Sequence, residues 1–301
     1  MGPTATGKTD AAAAIAERLN GEIISVDSSL VYRGMNIGTA KPEPAFLARH
    51  PHHLVDIRAP QDTYSVAEFH RDCTALIDQI VARGKVPVLA GGTHFYFNAL
   101  EQGLAELPAA DSDLRDEISA DAVSHGWAAL HEKLAALDPA SAQRIDPHDA
   151  QRIQRALEIV LLSGKPVAEH NVQKKAALSR PMLKIALVFS DRAELHARIE
   201  QRFDSMIEQG LQGEIEGLLN SGVAVDAPAM KMIGYRQMLE FLAGDATLDQ
   251  ARGKSIAATR QLAKRQLTWL RNQSNVLWWV DCGLKQKKFD QLLHYVQQFL
   301  R

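Results

Sequence analysis

Gly2-Pro3-Thr4-Ala5-Thr6-Gly7-Lys8-Thr9 fits G-x-x-x-x-G-K-[ST] at every fixed position, and an alanine-rich run, DAAAAIAERLN (10–20), follows it with helical composition. The pattern has a physical basis. Its glycines let backbone N–H groups turn inward around phosphate oxygens, and the N-terminus of the following helix adds favourable partial charge. Lys8 supplies a point charge, and the Thr9 hydroxyl is suited to Mg2+. The plain alternative is a chance match in a glycine-containing turn, and the helix in the expected place argues against it. Such a turn is ordinarily preceded by a buried strand, yet Gly2 is the second residue. The expectation is that the natural chain starts further upstream; a sheet lacking that strand is the alternative.

Working outward, four short apolar runs read as buried parallel strands: EIISV (22–26), KVPVLAG (85–91), LKIALVFS (183–190) and VLWWVD (276–281). Between them lie helical patterns. SVAEFHRDCTALIDQIVARG (65–84) ends at Gly84 as a C-cap, and 191–219 and 248–272 have helical spacing, with a loop around Pro228 between them. Alternation of this kind predicts an α/β fold, a P-loop NTPase-like parallel sheet flanked by helices. From Asp111 to Gly164 the patterns are helical without a strand, and Pro108 and Pro166 bracket the stretch. The predicted organisation is a core of residues 1–108 and 183–301 with a helical insertion domain over 109–182.

Ligands of open α/β sheets bind beyond the carboxyl ends of the strands. Asp27 follows EIISV and so should face the same crevice as the phosphate-binding turn, where a carboxylate can accept a proton or bind Mg2+. Its alternative role is to cap the next turn through Ser28 and Ser29. Thr93, after Gly91-Gly92 at the end of the second strand, should reach that crevice too; a tight glycine turn is compatible with this placement.

Composition narrows the setting. Apolar residues make up 46% and charged residues 23%, as in ordinary globular proteins, and no run is long enough to span a bilayer. No secretory signal pattern opens the chain, and Cys73 and Cys282 form neither a disulfide framework nor a zinc pattern, so the cytoplasm is the expected compartment. The net charge of −2 does not announce a nucleic-acid binder, so any RNA-binding charge must be local. His50, His52 and His53 cluster, but without cysteine or a carboxylate ladder they read as structural rather than metal-binding. Trp269, Trp278 and Trp279 read as core. A phosphate-binding turn is compatible with a kinase, a GTPase or a diphosphate-using transferase. There is no N-K-x-D for guanine and no clear Walker-B strand, which leaves small-molecule or nucleotide kinases, binding ATP at the turn, and transferases.

The run SVDSSLVYRGMNIGTAKP (25–42) makes the reading more specific. Together with GPTATGKT, PHHLVD (51–56), GGTHFYFNAL (91–100), DAQRIQRALEI (149–159), RIEQRFDSM (198–206), KMIGYRQM (231–238) and TRQLAKRQLTWLR (259–271), it resembles the bacterial tRNA dimethylallyltransferases. The resemblance runs in order through nearly the whole chain. It implies transfer of a dimethylallyl group from dimethylallyl diphosphate to N6 of adenosine 37, beside the anticodon of tRNAs reading codons that begin with U. It also implies a need for Mg2+, a fold similar to P-loop nucleotide kinases, an insertion that grips the anticodon stem-loop, and a monomer.

Residue by residue, the resemblance places the phosphate cradle on Gly2 to Thr9. It places tRNA contacts on Asp27, Ser28, Ser29 and Leu30; on Gln151, Arg152, Ile153, Gln154 and Arg155; on Lys231, Met232, Ile233, Gly234, Tyr235 and Arg236; and on Lys264, Arg265, Gln266, Leu267, Thr268, Trp269, Leu270 and Arg271. Thr93 and Arg115 match positions near the target nucleotide, and Arg202 an arginine poised for the diphosphate. The chemistry fits these residue types. Adenine N6 is a weak nucleophile, and Asp27 is the candidate base. Lys8, Arg202, the turn amides and a Thr9-bound Mg2+ would stabilise the leaving diphosphate.

ARGKSIAATRQLAKRQLTWLR (251–271) has six Arg or Lys and no acid. On a helix Ile256, Ala263, Leu267 and Leu270 form an apolar stripe, with Arg260, Lys264 and Arg271 beside it. The residues alone leave a phosphate-binding shoulder and an ion-paired solvated face both open; the resemblance favours RNA. Arg144, Arg152 and Arg155 make a weaker case, because Asp146 and Asp149 sit among them. The rival readings are a P-loop kinase, in which the insertion would be a lid, and a non-catalytic RNA-binding protein that has kept the fold.

Overall fold

The structure is a computed structural model that describes residues 1–172, 178–280 and 286–300. Asp281, which closes the fourth expected strand, and Cys282 lie outside the described residues. The chain divides into two compact units, Met1–Asn98 with Arg180–Arg301, and Ala99–Ser179. The second unit thus begins some ten residues before the expected boundary, within a helix that runs on from the GGT turn.

In the first unit, α1 (Lys8–Leu19) leads into β1 (Gly21–Val26), then α2 (Pro44–Arg49), β2 (His52–His53), α3 (Val66–Ala82), β3 (Val86–Gly91) and the start of α4 (His94–Gln102). The three strands pair in parallel in the order β2-β1-β3, with Val26 opposite Gly91. α1 packs its alanine face, Ala12, Ala13 and Ala16, on Ile23, Val88 and Ala90, and the small side chains allow a close approach of helix to sheet. α3 starts at a Ser65–Glu68 capping box, in which side chain and backbone satisfy each other's free donors, and Gly84 follows its last turn at φ 71°.

The second unit holds the rest of α4, then α5 (Ser112–Leu137), α6 (Pro139–Arg144) and α7 (Ala150–Ser163). Its core is Ile118, Leu130, Leu134, Ile153 and Leu157 with smaller neighbours. Gly126, at φ 82° and ψ 156°, kinks α5, where a side chain would be strained.

The chain re-enters the first unit with β4 (Lys184–Val188), α8 (Arg192–Glu208), α9 (Leu211–Asn220), α10 (Tyr235–Leu242), α11 (Leu248–Arg271), β5 (Val276–Val280) and α12 (Gln286–Phe299). The expected helix over 191–219 is two helices, because Gly210 at φ 96° breaks it. β4 and β5 pair in parallel, so the described strands form two sheets rather than one. The Met1 carbonyl accepts the Leu187 N–H at 2.9 Å, which sets the start of the chain beside β4. Trp278 is 39% exposed on β5, contrary to its expected place in the core, while Trp279 packs under α12 with Leu292 and Leu293. Burial alternates because β5 is an edge strand with one covered face. The histidine cluster is structural: His52 and His53 form β2, and His53 meets Glu22 at 2.7 Å. No helix among the described residues is long and apolar enough to cross a membrane.

Candidate active site

β1 and β3 run parallel and end level, so Asp27 and the Gly92-Thr93 turn leave the sheet at the same edge. Thr93 ties the two exits together. Its N–H donates to the Val26 carbonyl at 3.2 Å, and its hydroxyl oxygen accepts the Ser28 N–H at 3.0 Å. The phosphate-binding turn reaches the same edge: a side chain at Gly2 would meet the Leu187 carbonyl at 2.4 Å, and one at Gly92 would lie 3.4 Å from the Gly2 carbonyl.

The turn has the backbone its sequence calls for. Ala5 and Gly7 have φ of 65° and 78°, and Gly7 caps α1 without a side-chain bond, leaving the first amides of the helix open. Thr6 Oγ1 and Lys8 Nζ both donate to the Pro3 carbonyl, at 2.9 and 2.6 Å. Pro3 has no N–H, and the Thr4 N–H is taken by Gln266 Oε1 at 2.9 Å. Pro3 and Thr4 therefore offer a phosphate no free N–H, while the amides from Ala5 into the first turn of α1 remain open.

Charge converges on this edge. Burial lowers the Lys8 ammonium to about 8, with Asp27 opposing the shift and Arg202 adding to it. Burial also lowers Arg202, and Asp27 again opposes. Lys8, Asp27 and Arg202, which come from α1, the end of β1 and α8, thus feel one another's charge. His94 is pushed down to about 4 by burial and by Lys8, which keeps its imidazole neutral. Asp27 Oδ1 accepts from the Ser29 N–H at 2.9 Å and from the Ser29 hydroxyl, so the turn-capping role is real for that oxygen. Among the described residues Oδ2 takes no hydrogen bond, which leaves it for chemistry.

No group of three or more His, Cys, Asp or Glu suited to a metal is present among the described residues. Mg2+ in phosphate sites needs only one or two protein oxygens, because the phosphates supply others. The Thr9 hydroxyl, in the first turn of α1, takes part in no hydrogen bond among the described residues and fits that demand.

Around the site, Glu214 of α9 holds the loop that follows Asp27. Its carboxylate accepts the N–H groups of Asn36 and Ile37 at 2.7 Å and of Gly38 at 3.0 Å, and the Tyr235 hydroxyl at 2.6 Å. A side chain at Gly38 would lie 2.5 Å from the Tyr235 ring, so only glycine permits this approach. Lys41, deeply buried in the same segment, donates to the Tyr32 carbonyl at 2.8 Å and pairs with Asp56.

The residues assigned to tRNA by resemblance divide by burial. Lys231, Arg236, Lys264, Arg265, Thr268 and Arg271 are exposed. Gly234, Tyr235, Gln266 and Leu270 are buried, and Leu30, Met232, Ile233, Leu267 and Trp269 are partly buried. Tyr235 is spent on Glu214, and Gln266 on the phosphate-binding turn. Trp269 stacks on His94 with ring centroids 4.6 Å apart. Arg260, read as part of the basic shoulder, pairs instead with Glu200 at 3.1 Å, and Arg252 with Glu200 and Asp204. Those arginines follow the ion-paired alternative, since α8 sets acids opposite them. Sequence reasoning missed the bracing by Glu214 and Gln266, because a lone Glu or Gln on a helix carries no positional signal.

In the second unit, Gln151 and Arg152 are exposed, Gln154 and Arg155 partly so, and Ile153 is core. Glu158, with no exposed side-chain surface, accepts Arg115 Nε at 2.9 Å and the Asp111 N–H at 2.8 Å and pairs with Arg155. Burial alone would raise its carboxyl; the two arginines and the amide outweigh burial and bring it below its usual range. Arg155 also donates to the Pro108 carbonyl at 2.8 Å.

The sequence profile of the IPP transferase family matches residues 30–273. A tRNA dimethylallyltransferase of Aromatoleum aromaticum is 58% identical over 274 residues, 90% of this chain and 85% of that protein. One from Thiobacillus denitrificans is 56% identical over 273 residues, 90% of this chain and 87% of its own. Among solved structures, the full-length tRNA isopentenylpyrophosphate transferase of Bacillus halodurans is 40% identical with a TM-score of 0.71, covering 99% of this chain and 94% of its own. A eukaryotic dimethylallyltransferase described as acting on tRNA superposes with a TM-score of 0.82 at 26% identity, over 99% of this chain and 78% of its own.

Proposed function

The chain belongs to the IPP transferase family, and from that premise we propose that it transfers a dimethylallyl group from dimethylallyl diphosphate to N6 of adenosine 37 in tRNAs reading codons that begin with U. The observation that carries the reading is the convergence of Lys8, Arg202 and a half-free Asp27 carboxylate at one sheet edge beside an open helix N-terminus. A kinase needs the cradle too, but the relatives of this chain are tRNA prenyl-transfer enzymes.

The steps follow from the residues. The N6 lone pair is delocalised into the ring, so its attack on the allylic carbon needs proton removal, and Asp27 Oδ2 takes that proton as the C–N bond forms. The C–O bond to diphosphate breaks, and the charge left on the diphosphate is met by Lys8, Arg202 and the open amides from Ala5 onward. Thr9 would hold Mg2+, which would supply further charge neutralisation at the leaving group. The adenine must leave its stack, at a cost of a few kcal/mol. Phosphate contacts from Lys231, Arg236, Lys264, Arg265 and Arg271 offset that cost.

Mass spectrometry of nucleosides from tRNA treated with the protein, Mg2+ and dimethylallyl diphosphate tests the reading. Prenylated adenosine in tRNA is the expected product. Phosphoryl transfer from ATP to a small acceptor, without prenyl transfer, would replace the reading with a kinase.

A further inference from the structure

We propose that Gln266 is a positioning residue for the donor diphosphate, its amide setting the spacing between the phosphate-binding turn and the Thr93 loop. The proposal rests on the reading of that turn as the diphosphate cradle. Gln266 is 5% exposed, and both ends of its amide are used. Oε1 accepts the Thr4 N–H at 2.9 Å, and Nε2 donates to the Gly92 carbonyl at 2.8 Å. A primary amide joins an N–H on one side to a C=O on the other because it carries an acceptor and a donor on one carbon. A carboxylate would satisfy Thr4 and repel Gly92, and an aliphatic chain would leave both unpaired.

The bridge acts on the site in two ways. It occupies the Thr4 amide, so that this N–H is not offered to the ligand. It also holds Gly92, next to Thr93, at a fixed distance from the turn. The approach is close: a side chain at Gly92 would meet Gln266 Nε2 at 2.6 Å. One helical turn on, Trp269 stacks on His94, giving α11 a second hold on the same loop.

The test is steady-state kinetics of the full chain against both substrates, with melting temperatures, for Gln266→Ala and Gln266→Glu. Leaving two partly buried partners without Gln266 is expected to lower kcat/KM for dimethylallyl diphosphate on the order of 10-fold in Gln266→Ala, with the KM for tRNA within about 2-fold of wild type. Gln266→Glu should show the same defect when ionised. Its ratio to wild type should recover as the pH is lowered, because a protonated carboxyl regains both an acceptor and a donor. A residue that only stabilised the fold would lower the melting temperature without that pH-dependent recovery, and this result would overturn the proposal. So would an unchanged donor kcat/KM in either folded variant, or a loss confined to the KM for tRNA. Should Gln266→Ala not fold, the pH profile of Gln266→Glu decides alone. Absence of prenyl transfer by the wild-type chain is a separate result: it removes the function on which the proposal stands.

Discussion

Replacing Glu214 with alanine should unfasten the loop that carries the chain away from Asp27. The carboxylate accepts three consecutive backbone N–H groups and one phenol. Hydrogen bonds to a charged group contribute about 1.5–3 kcal/mol each, but water can replace Glu214 at the half-open amides, so their loss is mostly recovered. The Tyr235 hydroxyl is different. The residue has no exposed surface, and its ring lies against Gly38, where water has little room. Stranding that hydroxyl costs about 1–3 kcal/mol, and with the amides the total comes to about 3 kcal/mol. Tyr235→Phe removes the stranded group itself and should cost only about 1 kcal/mol. In a double-mutant cycle the two changes should therefore couple by about 1–2 kcal/mol. Urea unfolding of the four proteins at a common pH gives these values directly, provided the slopes agree. A Glu214→Ala variant within about 0.5 kcal/mol of wild type, or additive single changes, would refute the clamp.

Asp27→Ala should lower turnover by about 10²- to 10⁴-fold and leave tRNA affinity almost unchanged, as measured by single-turnover rates and direct binding; equal losses in both would argue against a base. Lys264→Ala should weaken tRNA binding and reduce the slope of log affinity against log salt by about 0.7–0.9, the signature of one lost phosphate contact. Glu22 is held down to about 2 from 4.5, chiefly by its bond from Arg83, with His53 and Lys85 adding to this against the effect of burial. A depressed carboxyl stabilises the fold above its unfolded pKa, and that contribution fades as the pH falls from 4.5 toward 2. The denaturation midpoints of wild type and Glu22→Gln should therefore differ near neutrality by the equivalent of about 1 kcal/mol and converge in acid.

The parts of this fold visible in the sequence are those whose physics is local. Runs such as EIISV and VPVLAG are strands because they are short, apolar and bounded, and the phosphate-binding turn is legible because each fixed residue answers a local need. β2 has two residues and α10 eight, too few for any period to register. At the site, Asp27 and Thr93 could be placed from strand ends alone. Arg202, 175 residues after Asp27, could be placed only by resemblance, because nothing in α8 says which of its charges turns toward Lys8 rather than toward Arg252.

The segment 264–271 shows how far a resemblance carries and where packing takes over. Resemblance hands the whole run to RNA. At about 100° per residue, however, Lys264, Arg265, Thr268 and Arg271 fall within about 120° on one side of α11, while Gln266, Trp269 and Leu270 gather within about 100° on the other. The burial of the helix obeys that division: the first four are exposed, Gln266 and Leu270 are buried, and Trp269 lies between. One face can therefore meet phosphates while the other grips the turn and the Thr93 loop through Gln266 and the His94–Trp269 stack. On the proposed function, a single rigid helix with these two faces would bring the acceptor RNA and the donor cradle into a common frame. Placement errors of about 1 Å can cost about 10²-fold in rate, so substitutions on the inner face should impair chemistry and those on the outer face RNA affinity, although all lie within eight consecutive residues.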